Sequence, residues 1–345
     1  MRRDPTAALM HAEAAEAGEA VARLYDSQAR AFERLGVRLR EAGPRLVVTC
    51  ARGSSDHAAT YAKYLIETRA YAICASCAPS VSSVYLAPAP AQGALALAIS
   101  QSGRSPDILH AARNLKESGA LLVAFVNDAE SPLARLADEL IPLCAGPERS
   151  VAATKSCIAS LAAVAMLVAR WTGDAEMLAA LARLPEALGR AWALDWSPLA
   201  ETLETATSAF VLGRGLGLGA AQEAALKLKE TCRLHAEAYS AAEALHGPAA
   251  LVREGFPILA LAQDDETLPA YAATLDKLAR FGAQIFAAGV APPPGGRALP
   301  EIAAPPALQP ILQIASFYKA ANLLAALRGL DPDRPPNLAK VTETI

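Results

Sequence analysis

Ala94-Leu95-Ala96-Leu97-Ala98-Ile99-Ser100-Gln101-Ser102-Gly103-Arg104-Ser105-Pro106-Asp107 is an apolar run that breaks into hydroxyls, a glycine and a proline. A short apolar run bounded by turn signals reads as a buried strand, and a helical pattern starts at Asp107, so the junction is a strand-to-helix turn. An ordinary turn of this kind needs one capping hydroxyl. Here Ser100, Ser102 and Ser105 arrive together with the amide of Gln101. That excess predicts a phosphate cradle, with hydroxyls and backbone N–H groups converging at the positive end of a helix dipole. Neither G-x-x-x-x-G-K-[ST] nor G-x-G-x-x-G follows the strand, so a nucleotide is not the expected ligand.

The same alternation continues on both sides. Residues 8–42 carry apolar side chains at helical spacing, through Val21, Leu24, Tyr25, Phe32 and Leu35. Leu46-Val47-Val48-Thr49-Cys50 reads as a buried strand, Gly53-Ser54-Ser55-Asp56 as a turn with capping residues, and 58–68 as a helix. Further strands are expected at 72–77, 121–126 and 140–143. Strand alternating with helix predicts an α/β fold with a parallel sheet covered on both faces. Ligands of such sheets bind beyond the carboxyl ends of the strands, where both Gly53-Ser54-Ser55 and residues 100–105 fall.

An apolar helix at 154–171 and a polar helical stretch to 197 lead to a second alternating unit. It opens at Ala209-Phe210-Val211-Leu212, turns through the glycines of 213–219, and continues with a helix from 220 and a strand at 257–262. The match between its opening and residues 46–53 predicts an internal duplication. The second copy's later strand runs into Gln263-Asp264-Asp265, and two acids repel phosphate, so only the first copy should hold one. The glycines at 213–219 lack the dinucleotide spacing, and no acidic residue ends a following strand to meet a ribose.

Composition narrows the classes. Of 345 residues, 53% are hydrophobic and 19% charged, with a net charge of -3; this suits a compact enzyme and excludes a disordered chain. No basic run with interleaved aromatics is present, so nucleic acid is not an expected partner. The longest apolar run, 161–169, falls short of the roughly 18 residues of a membrane span, and the charged start has no apolar leader core, which predicts a soluble, cytoplasmic protein without membrane contact. The six cysteines are scattered through apolar segments, as in reduced packing residues. Cys74-Ala75-Ser76-Cys77 has no second pair and no helix start beside it, so neither a redox nor a metal site is expected.

The densest chemistry lies in the second unit. On a helix, Glu223, Lys227 and Glu230 share one face at spacings of four and three. A solvated ion-paired face would look the same. His246-Gly247-Pro248 lies in a break between helices, where an imidazole can face a cleft, whereas His235 reads as a helix-packing residue. A carboxylate base and a histidine acid beside a phosphate cradle suit aldose–ketose proton transfer.

Taken together, Ser100-Gln101-Ser102-Gly103, Leu226-Lys227-Leu228-Lys229-Glu230, His235-Ala236-Glu237-Ala238-Tyr239, His246-Gly247-Pro248 and Asn337-Leu338-Ala339-Lys340 resemble the isomerase half of the glucosamine-fructose-6-phosphate aminotransferases. The resemblance covers about residues 35–345. It implies two tandem sugar isomerase (SIS) domains, each a doubly wound, flavodoxin-like parallel sheet flanked by helices. The expected layout is a helical segment at 1–34, a first SIS domain at 35–175, a helical linker at 176–200, a second SIS domain at 201–335 and a tail at 336–345.

The resemblance also implies roles. Ser55, Ser100, Gln101, Ser102 and Ser105 match phosphate contacts, and Ser54, Val151, Ala153 and Glu223 lie by the sugar. Glu230 matches the base that moves a proton between C1 and C2, with Lys227 and Glu223 shaping its surroundings. His246 matches the ring-opening residue, contributed by the neighbouring subunit of a homodimer, and Lys340 a tail lysine that forms an imine with the open ketose. Relatives usually carry Gly at Ser150 and Ser at Ala153, so one hydroxyl near the substrate is lost. The synthase further needs a glutaminase domain with a cysteine after the initiator, and Met1-Arg2-Arg3-Asp4 does not supply it.

The implied activity is that of a stand-alone amino-sugar phosphate deaminase, turning glucosamine 6-phosphate into fructose 6-phosphate and ammonia with no cofactor and no metal. A phosphosugar isomerase or a fructosamine-phosphate deglycase would use the same residues. A non-catalytic sugar-phosphate sensor would be expected to lose Glu230, His246 and Lys340, which this chain keeps.

Overall fold

A computed structural model describes residues 4–340. In chain order its elements begin with α1 (Leu9–Ala15), α2 (Ala17–Ala42), β1 (Leu46–Cys50), α3 (Ser54–Arg69), β2 (Ile73–Ser76), α4 (Pro79–Ser83), β3 (Leu95–Ser100), α5 (Pro106–Glu117), β4 (Leu121–Val126), α6 (Pro132–Leu136) and β5 (Glu139–Pro142). Helices α7 (Lys155–Thr172), α8 (Ala175–Leu181), α9 (Leu184–Ala193) and α10 (Ser197–Leu203) follow. The rest is β6 (Ser208–Gly213), α11 (Leu218–Cys232), β7 (His235–Ser240), β8 (Pro257–Leu261), α12 (Leu268–Arg280), β9 (Gln284–Ala288), β10 (Arg297–Ala298) and α13 (Gln309–Leu327).

The chain forms two compact units that interleave in sequence. One contains Glu19–Glu148, Lys155–Pro185 and the tail from Ala339; the other contains the segment to Gly18, Arg149–Thr154 and Glu186–Leu338.

The first unit is built on a parallel sheet of order β2-β1-β3-β4-β5. All six residues of β3 are buried, which is why its sequence runs apolar without alternation. Ala96 and Ala98 of β3 belong to a buried cluster with Ile108, Ala111, Ala112 and Leu115 of α5. The strand order reverses between β1 and β3, and the turns after these two strands are Gly53-Ser54-Ser55 and Ser100–Ser105, at the position where such sheets bind ligands. Helix α7, apolar on every side, is long and apolar enough by composition to cross a bilayer, yet 89% of it is buried inside the protein.

The second unit repeats the pattern. Its sheet has the order β10-β9-β8-β6-β7, again all parallel, so β7-β6-β8-β9-β10 corresponds strand for strand to the first sheet. Phe210, Leu212, Ile258 and Ala260 pack with Tyr271, Leu275 and Leu278 of α12. The duplicated α/β architecture expected from the sequence is therefore present.

Several local expectations change. Helix α3 starts at Ser54, four residues earlier than expected, because Gly53 takes φ +54° and turns the chain directly from Arg52 into the helix. His235 is not a helix-packing residue. Arg233 caps α11 with φ +48°, and His235 then opens β7 with its side chain exposed. Cys74 and Cys77 do not form a site together, since residues three apart on an extended chain face opposite sides. Cys77 instead follows β2 beside Cys50, with its N–H donated to the Thr49 carbonyl at 2.8 Å. Among the described residues no His/Cys/Asp/Glu group could hold a metal ion.

Candidate functional site

In the first unit the turn after β3 uses its own hydroxyls. Ser100 Oγ accepts the Gly103 N–H at 2.9 Å, and Ser102 Oγ accepts the Arg104 N–H at 3.3 Å. The expected cradle of free backbone N–H groups is corrected accordingly, because these two N–H groups are consumed inside the turn. A serine hydroxyl that accepts keeps its O–H to donate, so Ser100 and Ser102 are oriented donors. Ser105 is the N-cap of α5 and makes no side-chain cap bond, which leaves its hydroxyl available at the helix N-terminus. Gly103 takes φ +62°, and a Cβ there would collide with Ser131 Oγ and lie 2.7 Å from its Cβ. No other residue fits the turn without moving its neighbours.

Both arginines near this turn are already paired. Arg52 forms a two-pronged pair with Asp107 at 2.9 Å for both nitrogens, and Arg104 reaches Asp128 at 2.6 Å. Asp107 is 1% exposed and also accepts the Ile108 N–H, so it fixes Arg52 to the first turn of α5. Hydroxyls rather than unpaired arginines therefore mark this turn. Ser54 and Ser55 open α3 at the end of β1, half-buried, and the Ser54 carbonyl accepts the Cys157 thiol from α7. Burial pushes the neighbouring Asp56 carboxyl above its ordinary value, which lessens negative charge at that helix start.

The same unit holds Lys340. Its Nζ lies 3.6 Å from Glu148 Oε2, and the Glu148 carboxylate accepts the Ser156 N–H at 3.2 Å and the Ser156 hydroxyl at 2.5 Å. The partly exposed tail lysine is thus anchored to the first turn of α7. Nothing in the sequence pairs Glu148 or Ser156 with Lys340, because only the fold brings the tail to them.

In the second unit Glu223, Lys227 and Glu230 do share one face of α11, but the face is not solvated. Lys227 is fully buried and Glu223 is 1% exposed, whereas the Glu230 side chain is 20% exposed. The Lys227 ammonium lies 3.1 Å from Glu223 Oε1 and 2.7 Å from Glu230 Oε2. Tyr318 of α13, also fully buried, donates its hydroxyl to Glu223 Oε1 at 2.9 Å. A buried ammonium needs such fixed anions. Glu223 and Lys227 are sealed from solvent, so they reach a substrate only through Glu230.

Glu230 opens onto a cavity of about 690 Å³ lined by Leu226, Lys229, Glu230, Arg233, Pro336, Asn337 and Leu338. Tyr318 and Arg233 carry no sequence signal for this site, and Lys229 stands only as part of the motif around Glu230. His246 is exposed between two 3-10 turns and does not line this cavity. Val151 and Ala153 are half-buried in a loop held at two points. Glu13 of α1 accepts the N–H groups of Arg149 and Ser150 at 2.5 and 3.2 Å, and the Asp333 carbonyl accepts the Val151 N–H at 3.5 Å.

In the second copy the end of β8 is closed by its own side chains. Gln263 Nε2 donates to the Arg214 carbonyl at 2.8 Å and to Asp265 Oδ2 at 2.7 Å, and Asp265 caps Thr267. No hydroxyl cradle forms there.

Known proteins match this arrangement. The SIS domain family matches residues 39–170 and 202–289. The glutamine–fructose-6-phosphate aminotransferase of Sulfurisphaera tokodaii is 34% identical over 302 residues, covering 85% of this chain and 49% of its own length. The chain thus spans about half the length of the curated relatives it matches. A protein of Silicibacter pomeroyi DSS-3, named a candidate phosphosugar isomerase, superimposes with a TM-score of 0.90 at 45% identity, over 94% of this chain and 100% of that one. The C-terminal domain of glucosamine-fructose-6-phosphate aminotransferase from Francisella tularensis gives 0.82 at 27% identity, over 95% and 98%.

Proposed function

The chain belongs to the SIS-domain family, and we propose that it is an amino-sugar phosphate deaminase, acting on glucosamine 6-phosphate by an aldose–ketose proton shift. The observation that carries this reading is Glu230, the one accessible carboxylate of an otherwise buried charge array, facing a cavity of about 690 Å³.

In this proposal the phosphate ester is held by Ser100, Gln101, Ser102 and Ser105, with Ser55 beside them, and Ser54, Val151 and Ala153 border the sugar. His246, contributed by a second copy in a cytoplasmic homodimer, helps open the ring. Glu230 takes the C2 proton of the open aldehyde while the C1 oxygen gains one, giving an enolamine. Returning the proton to C1 moves the double bond to C2 and nitrogen. Lys340 supplies the amine that can engage the ketose carbonyl. Water, in large excess over ammonia, adds to the C2 imine and expels ammonia, leaving fructose 6-phosphate. The relatives named for moving an amino group onto fructose 6-phosphate support an amino sugar as substrate.

A second reading is favoured by one feature. Lys229 and Arg233 line the same cavity as Glu230, and two cations suit an acidic substituent on the sugar nitrogen, as a deglycase would meet. One assay tests the first reading: ammonia release from glucosamine, galactosamine and N-acetylglucosamine 6-phosphates, with fructose 6-phosphate measured alongside. Stoichiometric ammonia and fructose 6-phosphate from glucosamine 6-phosphate is expected. Interconversion of fructose and glucose 6-phosphates with no ammonia release would replace the deaminase with a plain isomerase.

A further inference from the structure

We propose that Tyr318 is a positioning residue for the proton-transferring carboxylate, acting through Glu223 and Lys227 on Glu230. The proposal rests on the reading of Glu230 as the base.

The links form one chain within one unit. Tyr318 OH stands 2.9 Å from Glu223 Oε1, Glu223 Oε1 stands 3.1 Å from Lys227 Nζ, and Lys227 Nζ stands 2.7 Å from Glu230 Oε2. Three of the four residues are on α11, at spacings that allow each side chain several rotamers along the helix face. Tyr318 comes from α13 and is fully buried in that helix. Its ring has two side-chain torsions and is locked by packing, so its hydroxyl is the most rigid reference point in the array. By occupying Glu223 Oε1 it fixes that carboxylate, and the shared oxygen then fixes the ammonium.

Exposure gives the array its direction. Both carboxylates contact the one ammonium. Glu230 is the member with access to the cavity. A tyrosine hydrogen bond that strengthens the hold of Glu223 on its place leaves Lys227 aimed at Glu230 Oε2, and leaves Glu230 Oε1 to the substrate. Proton transfer depends steeply on such placement.

The test uses Tyr318→Phe, Glu223→Gln and the double variant in the full chain, with thermal melts to establish folding. Tyr318→Phe should lower kcat about tenfold with KM changed less than twofold, and the isotope effect with C2-deuterated substrate should rise as proton abstraction becomes limiting. The double variant should be no slower than Glu223→Gln alone, because both act on the same link. Wild-type kcat in Tyr318→Phe, or losses that simply multiply, would overturn the proposal. If Tyr318→Phe does not fold, Glu223→Gln decides, since its wild-type kcat would show that nothing passes through Glu223. Glu230→Gln separates the underlying reading: if it still exchanges the C2 proton with solvent, the base assignment fails whatever Tyr318 does. An inactive Glu230→Gln beside a fully active Tyr318→Phe removes only the positioning role.

Discussion

The Nζ of Lys340 stands 3.6 Å from Glu148 Oε2, which accepts the Ser156 hydroxyl while Glu148 Oε1 accepts the Ser156 N–H. If Lys340 attacks the ketose carbonyl as proposed, its ammonium must first release a proton, and the Glu148 carboxylate lies beside it. Its own bonds to Ser156 hold it at the start of α7.

Borohydride added during turnover should therefore reduce an imine at Lys340. Mass spectrometry of a tryptic digest should find the ketose phosphate on that residue, and Lys340→Met should carry none. Glu148→Ala should cut trapping more than tenfold. It should also cost about 1–3 kcal/mol of stability by urea titration, because the Ser156 donors lose their buried acceptor.

Lys227 is held between two carboxylates with no exposure of its own. Replacing it with methionine leaves Glu223 as an uncompensated buried charge, and breaking such a pair costs about 3–5 kcal/mol. A fall of that size in urea unfolding, together with loss of ammonia release, is expected. A variant as stable as the parent would mean that water reaches the array.

Gly103→Ala should act on the phosphate rather than on the chemistry. The residue sits at φ +62° against Ser131, and forcing a Cβ there costs roughly 1–3 kcal/mol and displaces the Ser100 and Ser102 hydroxyls. KM should rise at least tenfold with a smaller change in kcat, and inorganic phosphate should lose its power to inhibit.

The cysteines differ in the acidity of their thiols. A hydrogen bond with Cys50 holds the Cys77 thiol below its ordinary value, with Arg52 helping, whereas that hydrogen bond and burial push Cys50 well up. Burial raises Cys74 and Cys232 to about 12. A lowered value means more thiolate at neutral pH, so iodoacetamide should label the half-buried Cys77 first, with a rate midpoint below the usual value of about 8.5. Peptide mapping across pH 6–9 checks this. Equal labelling of Cys50 would contradict it.

Much of the frame was legible because it depends on local chemistry. Leu121–Val126 and Leu46–Cys50 are strands at the residues their apolar runs indicate. The second copy's strand at Pro257–Leu261 ends one residue before its expected limit. The sequence places His235 on a helix because α11 ends at Arg233 without a glycine to mark the stop. The turn at Ser100–Ser105 was placed correctly, but its internal bonds were not visible, since a serine sequence does not say which hydroxyls accept from the backbone.

The alternation of strand and helix, the duplication, the place of the hydroxyl turn and the one-face spacing of Glu223, Lys227 and Glu230 can all be read from the residues in order. These follow from periods of two and 3.6 residues and from turn chemistry, which act over a few neighbours. The burial of this face, the bond from Tyr318 to Glu223 and the pairing of Glu148 with the tail lysine come from the fold. A buried charge must find its partners wherever the fold brings them, and here α13 and the tail lie far along the chain from the groups they meet.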